Sequence, residues 1–514
     1  MDSINQPDWT LSLAQSAIDE IRKSIDEDAD AVKDRALQKL GFQFRSAGQY
    51  LQAIKVYEIL SLMNPKSGRY PRNIRQCRME YSAAEGDFEA CVESLKNVRA
   101  HDRSTVVRNC LINFVRAGNA ELAERLLEHD VLKGNSSDGS RRMFETVQKL
   151  SKPDYLLELA KYRRKHGDDD GARQAILPAV AIIATPVEHG YLYGAPDGNS
   201  IVRLAFQLCE ANTLIEIMLP MSKLAESYPF KIDCLAECLA QNGADGSIDR
   251  ALETTDSYDA AALIAGSALG YSRIENHAAA RNRVNQFLEF LIPSSGYEGP
   301  KTNGFRHVSG GFRPAAEAAF GIGDFQLRDK VIETYFEYLA NSEYPDEYPF
   351  VMDLCLAVDA VEPARRAVAK MSWYDRQAES GRVAIKLRIS DDEEDRALAV
   401  KILDELTAEV THNRDSMFVN GAMEDHSWSR TMIARQWLEI GELQRAIAIK
   451  KLVVAAEQHK FLEYVGEKLA ELRFFGDEPT KYLDWANGLQ PVRTCSTLEK
   501  AYSLIGLHRG FSAK

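Results

Sequence analysis

The sequence has little of what marks a secreted or membrane-spanning protein. Its eight cysteines among 514 residues do not fall at paired spacings, which argues against a disulfide framework and favours reduced core thiols. The longest apolar run, Ile176 to Val187, contains two prolines and is too short to span a bilayer. Residues 1–9 are polar and lack the apolar core of a signal peptide. We therefore expect a cytoplasmic protein without a transmembrane segment.

Positive charge is also in deficit. The chain has 63 lysines and arginines against 76 aspartates and glutamates, which gives a formal net charge of −13. A general nucleic-acid binder needs a basic footprint to displace counterions from phosphates, so no nucleic-acid partner is expected. The same excess of acid favours solubility and attracts basic partners or surfaces.

The motifs of common catalytic and cofactor sites are missing or incomplete. There is no HExxH pair, no Walker lysine and no GxSxG elbow. Gly321-Ile322-Gly323 begins like a dinucleotide fingerprint, but Gln326 stands where the third glycine belongs, so a hairpin turn is predicted. Cys234 and Cys238 have half-site spacing for a metal, yet no second pair lies near them, so buried structural thiols are favoured. The sequence therefore predicts no cofactor, no metal site and no identifiable catalytic residue.

Apolar residues at helical spacing are what the sequence has in abundance, whereas strand-like alternation is scarce. The clearest stretch runs from Ala36 to Pro65 and predicts two short helices joined by a turn at Gly48-Gln49-Tyr50. The apolar stripes of these helices are formed by Leu37, Leu40, Gly41 and Phe44, and by Ala53, Tyr57 and Leu60. Neither helix can bury its stripe alone, so each pair needs another pair stacked on it.

Further helix–turn–helix units follow at similar intervals. Turn glycines at Gly48, Gly86 and Gly118 are 38 and 32 residues apart, and Gly441 and Gly476 are 35 apart. Glycine suits these places because the residue after a helix often adopts a left-handed conformation. The recurrence predicts a repeat architecture rather than a single compact core.

The first of these hairpins resembles a tetratricopeptide repeat (TPR). The residues at the spacing of that family are Leu40-Gly41, Phe44, Gly48, Tyr50, Ala53, Tyr57 and Pro65. Leu60 departs from the pattern, because the family usually has alanine there, where neighbouring helices approach closely. The resemblance implies an all-α fold: an α-solenoid of TPR-like hairpins in a right-handed superhelix, irregular in the middle.

Three regions are expected along the chain. Residues 1–185 would hold an N-terminal capping helix, starting at Asp8, and TPR-like hairpins. Residues 186–312 would form an irregular helical middle with two loops rich in glycine and aromatic residues, at Pro186–Ser200 and Pro293–Pro314. Residues 313–514 would hold further hairpins and a final helix that closes the far end.

The resemblance implies a scaffold or adaptor that binds a protein partner, as a peptide or a helix, in a concave groove lined by the first helix of each pair. Some grooves of the family clamp peptide C-termini with lysine, arginine and asparagine, and Gln38 and Phe42 depart from that clamp. The candidate groove residues are Gln38, Phe42, Arg45, Arg108, Ile112, Arg116 and Arg435. The arginines could hold an acidic or carboxylate-bearing peptide, or they could simply be solvated.

The two loops leave other functions open. Their side chains could offer stacking faces and donors to a ligand, or the loops could be irregular connectors. The candidate residues there are His189, Tyr191, Tyr193, Arg306 and His307. One alternative is an all-α toroid enzyme that acts on a carbohydrate or lipid through residues 186–200 and 293–314; a toroid closes on itself, whereas an array has distant ends. Another is a regulatory domain that senses a small ligand.

Overall fold

A computed structural model describes most of the chain. The described residues are 8–23, 30–96, 98, 100–129, 132, 152–184, 197–218, 231–254, 257–291, 305–340, 347–371, 373–390, 392–412, 418–419, 422–423, 427–453, 458–476, 478–488 and 496–512. The chain divides into two compact units, Met1–Arg78 with Val361–Lys514, and Met79–Ala360. The three regions expected from the sequence were defined by how regular the repeats are, whereas the two units are defined by contacts. The three regions therefore stay a prediction.

Helices dominate both units. Up to the first unit boundary the helices are α1 (Asp8–Lys23), α2 (Asp30–Ser46), α3 (Tyr50–Met63) and α4 (Arg69–Ala84), which runs past Arg78. The rest of Met79–Ala360 contains α5 (Phe88–Leu95), α6 (Ala100–Arg116), α7 (Ala120–Glu128), α8 (Lys152–Lys165), α9 (Asp169–Ile183), α10 (Gly198–Leu208), α11 (Ala211–Met218), α12 (Ile232–Gln241), α13 (Asp245–Thr254), α14 (Ser257–Arg273), α15 (His277–Leu291), α16 (Phe305–Gly321), α17 (Phe325–Ala340) and α18 (Tyr348–Ala357).

The C-terminal part, from Val361 onward, continues the same pattern. It contains α19 (Val361–Lys370), α20 (Trp373–Arg388), α21 (Glu393–His412), α22 (Ser427–Glu439), α23 (Leu443–Ala448), α24 (Gln458–Glu471), α25 (Pro479–Gly488) and α26 (Ser496–Ser512). A 3₁₀ helix, Ile449–Leu452, follows α23 directly. Two short strands, β1 (Phe418–Val419) and β2 (Ala422–Met423), pair antiparallel with Phe418 opposite Met423. None of the described helices is long and apolar enough to cross a membrane.

Within each unit most even-numbered helices are followed, across a short turn, by an odd-numbered helix, as α2 is followed by α3 and α8 by α9. We call the two members of such a hairpin the first and second helices. Among the described residues, eight glycines in the turns between helices have φ between 65° and 87°, a region that only glycine adopts without strain. They are Gly48, Gly86, Gly118, Gly167, Gly243, Gly323, Gly441 and Gly476. The turns predicted at five of these glycines from their spacing, and the turn reading of Gly321 to Gly323, are confirmed.

The hairpin of α2 and α3 has the packing of a TPR-like repeat. A Cβ at Gly41 would lie 2.9 Å from the ring of Tyr57, so glycine is what lets the tyrosine cross that helix. Ala53 and Leu60 are fully buried on the facing helix, and Phe44 is nearly so. Leu60 therefore fills space that the smaller residue of the family pattern would leave. The fold is all-α, an α-solenoid of TPR-like hairpins, as predicted.

The prediction of a loop over Pro293–Pro314 is wrong from Phe305 onward. Helix α16 begins at Phe305, and Pro314 lies inside it. Glycine-rich sequence is typical of loops, but Gly311 is a packing residue: a Cβ there would lie 2.6 Å from the ring of Phe287 on α15. Gly270 likewise lies inside α14, where a Cβ would lie 2.4 Å from the backbone oxygen of Glu237 on α12. The turn that follows α14 instead contains Glu275, with φ of 59°.

The first and last helices pair with each other, which the sequence did not predict. Helix α1 packs along α26 and takes the place of the second helix in a hairpin with it. Helix α26 also packs closely against α24 and contacts α2. Lys500 donates to Glu20 at 2.9 Å, and the rings of Phe44 and His508 lie 5.0 Å apart. The unit Met1–Arg78 with Val361–Lys514 is thus joined by contacts between the two ends of the chain.

Candidate functional site

The predicted groove residues on α2 occupy one face at helical spacing. The Gln38 side-chain amide donates to the Tyr70 hydroxyl at 2.7 Å, and Arg45 donates to the Gln76 side chain at 2.8 Å. Both polar side chains are therefore held by the neighbouring first helix, α4. Phe42, between them, is different, because 65% of its surface is exposed. An aromatic ring that shows so much surface on a first helix is available to a partner.

The arginines predicted on α6 reach across to the next first helix, α8. Arg108 forms an ion pair with Asp154 at 2.7 Å, and Arg116 forms one with Glu158 at 3.4 Å. Ile112, midway between them, is partly buried. Burial raises the pKa of the Asp154 carboxyl above its usual range, and the positive charge of Arg108 acts against that rise. These arginines balance buried or half-buried carboxylates rather than standing free in solvent.

Arg435 makes the same kind of contact in the other unit. Its guanidinium lies 3.5 Å from the carboxylate of Glu471, which joins α22 to α24. Lys468 on α24 pairs with Glu439 on α22, so cations and acids alternate across this helix pair. We call these ion pairs between successive first helices the inter-hairpin ladder. Its members among the predicted residues are Arg108, Arg116 and Arg435.

Buried acids are the part of the ladder that sequence reasoning missed. Glu237 on α12 accepts from Arg203 at 3.2 Å and also pairs with Arg273. Glu463 on α24 pairs with Arg509 on the next first helix, α26, at 3.1 Å, and it also pairs with Lys39 on α2 at 2.6 Å. Each acid interrupts an apolar run, Cys234–Ala240 or Phe461–Val465. A lone acid inside an apolar helix stripe is the signal that would have found them, because a buried carboxylate needs a cationic partner.

The ladder joins successive first helices and leaves hydrogen-bonding capacity on its arginines. A guanidinium has five N–H donors, and Arg108 and Arg116 use few of them on Asp154 and Glu158. Both arginine side chains remain between two fifths and half exposed. Their orientation is set by the carboxylates behind them, so a partner would meet donors that are already ordered.

The second set of predicted residues lies largely outside the described part of the chain. His189, Tyr191 and Tyr193 fall within residues 185–196, which the structure does not describe. Asp197, which follows, caps α10 by accepting the N–H of Ser200, so the end of the predicted loop 186–200 is helical. Arg306 and His307 lie in the first turn of α16, and their side chains are outside the described residues. The loop site stays a prediction.

The thiols and acids of the described residues offer no assembled metal site. Cys234 and Cys238 are both buried on α12, as predicted, and the Cys234 thiol lies 3.9 Å from the carbonyl oxygen of Asn199. Within the described ranges, no three side chains of His, Cys, Asp or Glu group as metal ligands would. Each buried acid of the ladder faces a cation instead.

Comparison with known proteins adds only distant likenesses. No protein-family model and no curated protein matches the sequence. Among solved structures, the TPR domain of P58(IPK) is 13% identical over 87% of this chain and 99% of its own, with a TM-score of 0.17. The Cut9–Hcn1 hetero-tetramer of the APC/C is 11% identical over 96% and 98%, with a TM-score of 0.22. A circular tandem repeat protein is 14% identical over 100% and 98%, with a TM-score of 0.13. At these scores, the repeat assignment rests on the hairpins described above.

Proposed function

We propose that this protein is an interaction scaffold that binds a segment of a protein partner, extended or helical, across the open faces of its first helices. Successive first helices form a preformed surface, and binding would need no covalent step. The ladder supports this role, because it orders side chains on that surface before any partner arrives. The cytoplasm is the proposed location, because the cysteines of the sequence do not fall at the paired spacings of a disulfide framework.

The exposed ring of Phe42 is the observation that carries the proposal. A large aromatic side chain on a polar face costs free energy in water, and aromatic residues dominate the binding energy of protein interfaces. Gln38 and Arg45, one turn to either side, are held by α4, so they frame the ring with fixed polar groups. A partner that covers Phe42 with an apolar side chain would also meet these polar groups.

The charge of the chain favours a partner segment with a basic or neutral character overall. The net charge of −13 attracts cations at long range, whereas the arginines of the ladder are locally balanced by Asp154, Glu158 and Glu471. Acceptors on the partner backbone could then bond to the remaining guanidinium donors. On the unit that contains both Phe42 and Arg435, affinity would come from the apolar anchor, and hydrogen bonds from the arginine would orient the segment.

Affinity purification from native lysate with two variants tests the proposal. Phe42→Glu places a charge at the proposed anchor, and Leu62→Glu does the same on the second helix of the same hairpin, where 83% of the leucine is exposed. We expect partners to be lost with Phe42→Glu and retained with Leu62→Glu, while both variants keep the helical circular dichroism of the wild type. Equal recovery of every partner by all three proteins would reject the first-helix surface.

An enzyme is the second candidate, and the pairing of α1 with α26 is the observation that favours it. In a helical toroid the first and last helices pack together, as α1 and α26 do within the unit Met1–Arg78 with Val361–Lys514. The active site would then use residues 186–200 and 293–314. A thermal-shift screen against oligosaccharides and lipid-like amphiphiles, with a Tyr191→Ala, His307→Ala double variant as control, tests this. A ligand shift in the wild type that the double variant lacks would support the enzyme, and no shift by any ligand would remove it.

A further inference from the structure

The second helix of the hairpin that starts at α22 changes form and leaves a cavity. Helix α23 ends at Ala448, and the chain continues as the 3₁₀ helix Ile449–Leu452 before it becomes extended at Val453. A 3₁₀ helix is narrower than an α-helix, so it fills less of the space beside its neighbours. A cavity of about 390 Å³ lies there, between α21, α22 and the 3₁₀ helix. That volume is within the usual range of small-molecule sites.

The inner wall of the cavity is fixed by hydrogen bonds. Trp437 is only 1% exposed, and its indole N–H donates to the Thr407 hydroxyl at 3.0 Å. The guanidinium of Arg445 lies over the Trp437 ring, 4.6 Å from its centroid, and donates to Asp404 at 2.7 Å. The Thr411 hydroxyl donates to the Thr407 backbone oxygen at 2.6 Å. A ligand would therefore meet a wall that is already ordered, which lowers the entropic cost of binding.

The rest of the lining is amphipathic, and it includes one cation that takes no part in the hydrogen bonds of the inner wall. Ala448, Ile449 and Leu452 supply apolar surface. Lys451 also lines the cavity, and its ammonium group has no ion pair with any carboxylate among the described residues. Arg445 is matched by Asp404, so the lining holds one net positive charge, at Lys451.

We propose that this cavity binds a small amphipathic organic anion, with its carboxylate at Lys451 and its apolar body against Ala448, Ile449 and Leu452. The apolar part of the ligand replaces water along the 3₁₀ helix, and its charge pairs with the Lys451 ammonium, which forms no ion pair within the described part of the chain. Most of the lining comes from the second helices α21 and α23 and from the 3₁₀ helix, with Trp437 of α22, and none of it comes from α2, which carries Phe42. The cavity is therefore a ligand site distinct from the proposed partner surface.

Intrinsic fluorescence and ligand-observed NMR on the full chain test the site with octanoate and 3-phenylpropionate as probes and octanamide as the neutral analogue. We expect saturable binding of at least one carboxylate, with octanamide at least about tenfold weaker than octanoate. Lys451→Gln should weaken the carboxylate by about tenfold. Lys401→Gln, on α21 but outside the cavity, is the matched control and should bind like the wild type.

A second pair of variants tests the place of binding rather than its charge. Ala448→Phe fills the cavity from an exposed position on α23, and Gln444→Phe adds the same ring on that helix outside the lining. Ala448→Phe should abolish binding, and Gln444→Phe should not. The proposal is overturned if neither carboxylate saturates up to about 5 mM, if Lys451→Gln and Lys401→Gln bind alike, or if Ala448→Phe still binds.

Discussion

The ammonium of Lys39 on α2 lies 2.6 Å from the carboxylate of Glu463 on α24, and the two residues are 424 positions apart. The Glu463 side chain is completely buried, and Arg509 on α26 donates to its other oxygen at 3.1 Å. One buried acid thus ties the first hairpin to the last helices of the chain. Removing one partner from a buried ion pair strongly destabilises a protein, because the charge that remains has no compensating neighbour.

Replacing Glu463 by glutamine should lower the stability of the unit that contains both chain ends. Glu463→Gln keeps the shape and removes the charge between Lys39 and Arg509, and since both cations are partly exposed we expect a loss of about 2 kcal/mol. Urea denaturation followed by circular dichroism measures it. Glu362→Gln, which removes an exposed acid paired with Arg365 within α19, should change the midpoint little. Equal midpoints for the two variants would contradict the buried pair.

The contact between α24 and α26 depends on glycine. A Cβ at Gly506 would overlap the backbone oxygen of Glu463, and a Cβ at Gly510 would overlap that of Glu467. Gly506→Ala should therefore force the helices apart and cost about 2 kcal/mol, in spite of the better helix propensity of alanine. Gly246→Ala, on α13 where a Cβ meets nothing within 4 Å, should be neutral or stabilising. Thermal melting of both variants checks this, and a stable Gly506→Ala protein would rule out the close approach.

Acid should weaken the same region through His508. Burial lowers the pKa of His508 from 6.5 to about 4, with Gln43 and Phe44 packed against the ring. The folded state therefore binds a proton at His508 less readily than the unfolded state does. The stability that neutral His508 contributes is fully present above the unfolded pKa of 6.5 and is lost as the pH falls towards 4. His508→Gln should flatten the decline in melting temperature between those values, whereas His166→Gln removes an exposed imidazole and serves as the control. A profile that His508→Gln leaves unchanged would refute this.

Leu60 is the position at which this chain departs from the family pattern. TPR sequences favour alanine at that position, yet Leu60 is fully buried on α3, so Leu60→Ala should open a cavity and cost about 3 kcal/mol. Leu62→Ala removes the same atoms from an exposed place two residues further on and should be nearly neutral. Denaturant midpoints of the two variants decide the matter. A stabilising Leu60→Ala would mean that the family pattern describes the packing better than this structure does.

The sequence predicted the hairpins better than the contacts between them. Apolar spacing and turn glycines such as Gly48 and Gly441 are local signals, and local signals locate helices and turns. The loop prediction around Gly311 was wrong because glycine occurs both in loops and where helices pack closely. The Phe287 ring beside Gly311 shows that here it is a packing residue. The pairing of Lys39 with Glu463 is a contact between distant parts of the chain, and no spacing in one sequence reveals it.

The same distinction explains the candidate site. Arg108, Arg116 and Arg435 lie on first helices, and the carboxylates that pair with them come from other hairpins, which the sequence does not reveal. Phe42 could be named from its position in the repeat, while its exposure follows from what α4 leaves uncovered. The cavity beside Trp437 was not foreseen, since a change from α-helix to 3₁₀ helix has no clear mark in the sequence Ile449–Leu452.

The partner surface on the first helices is the central claim, and site-specific photo-crosslinking tests it most directly. A benzoylphenylalanine is placed at Phe42 in one protein and at Leu62 in another, so that the same probe stands on the first or the second helix of one hairpin. Irradiation in native lysate should give discrete adducts with a partner from position 42 and none from position 62. Adducts from position 62 alone, or the same adducts from both positions, would contradict the account.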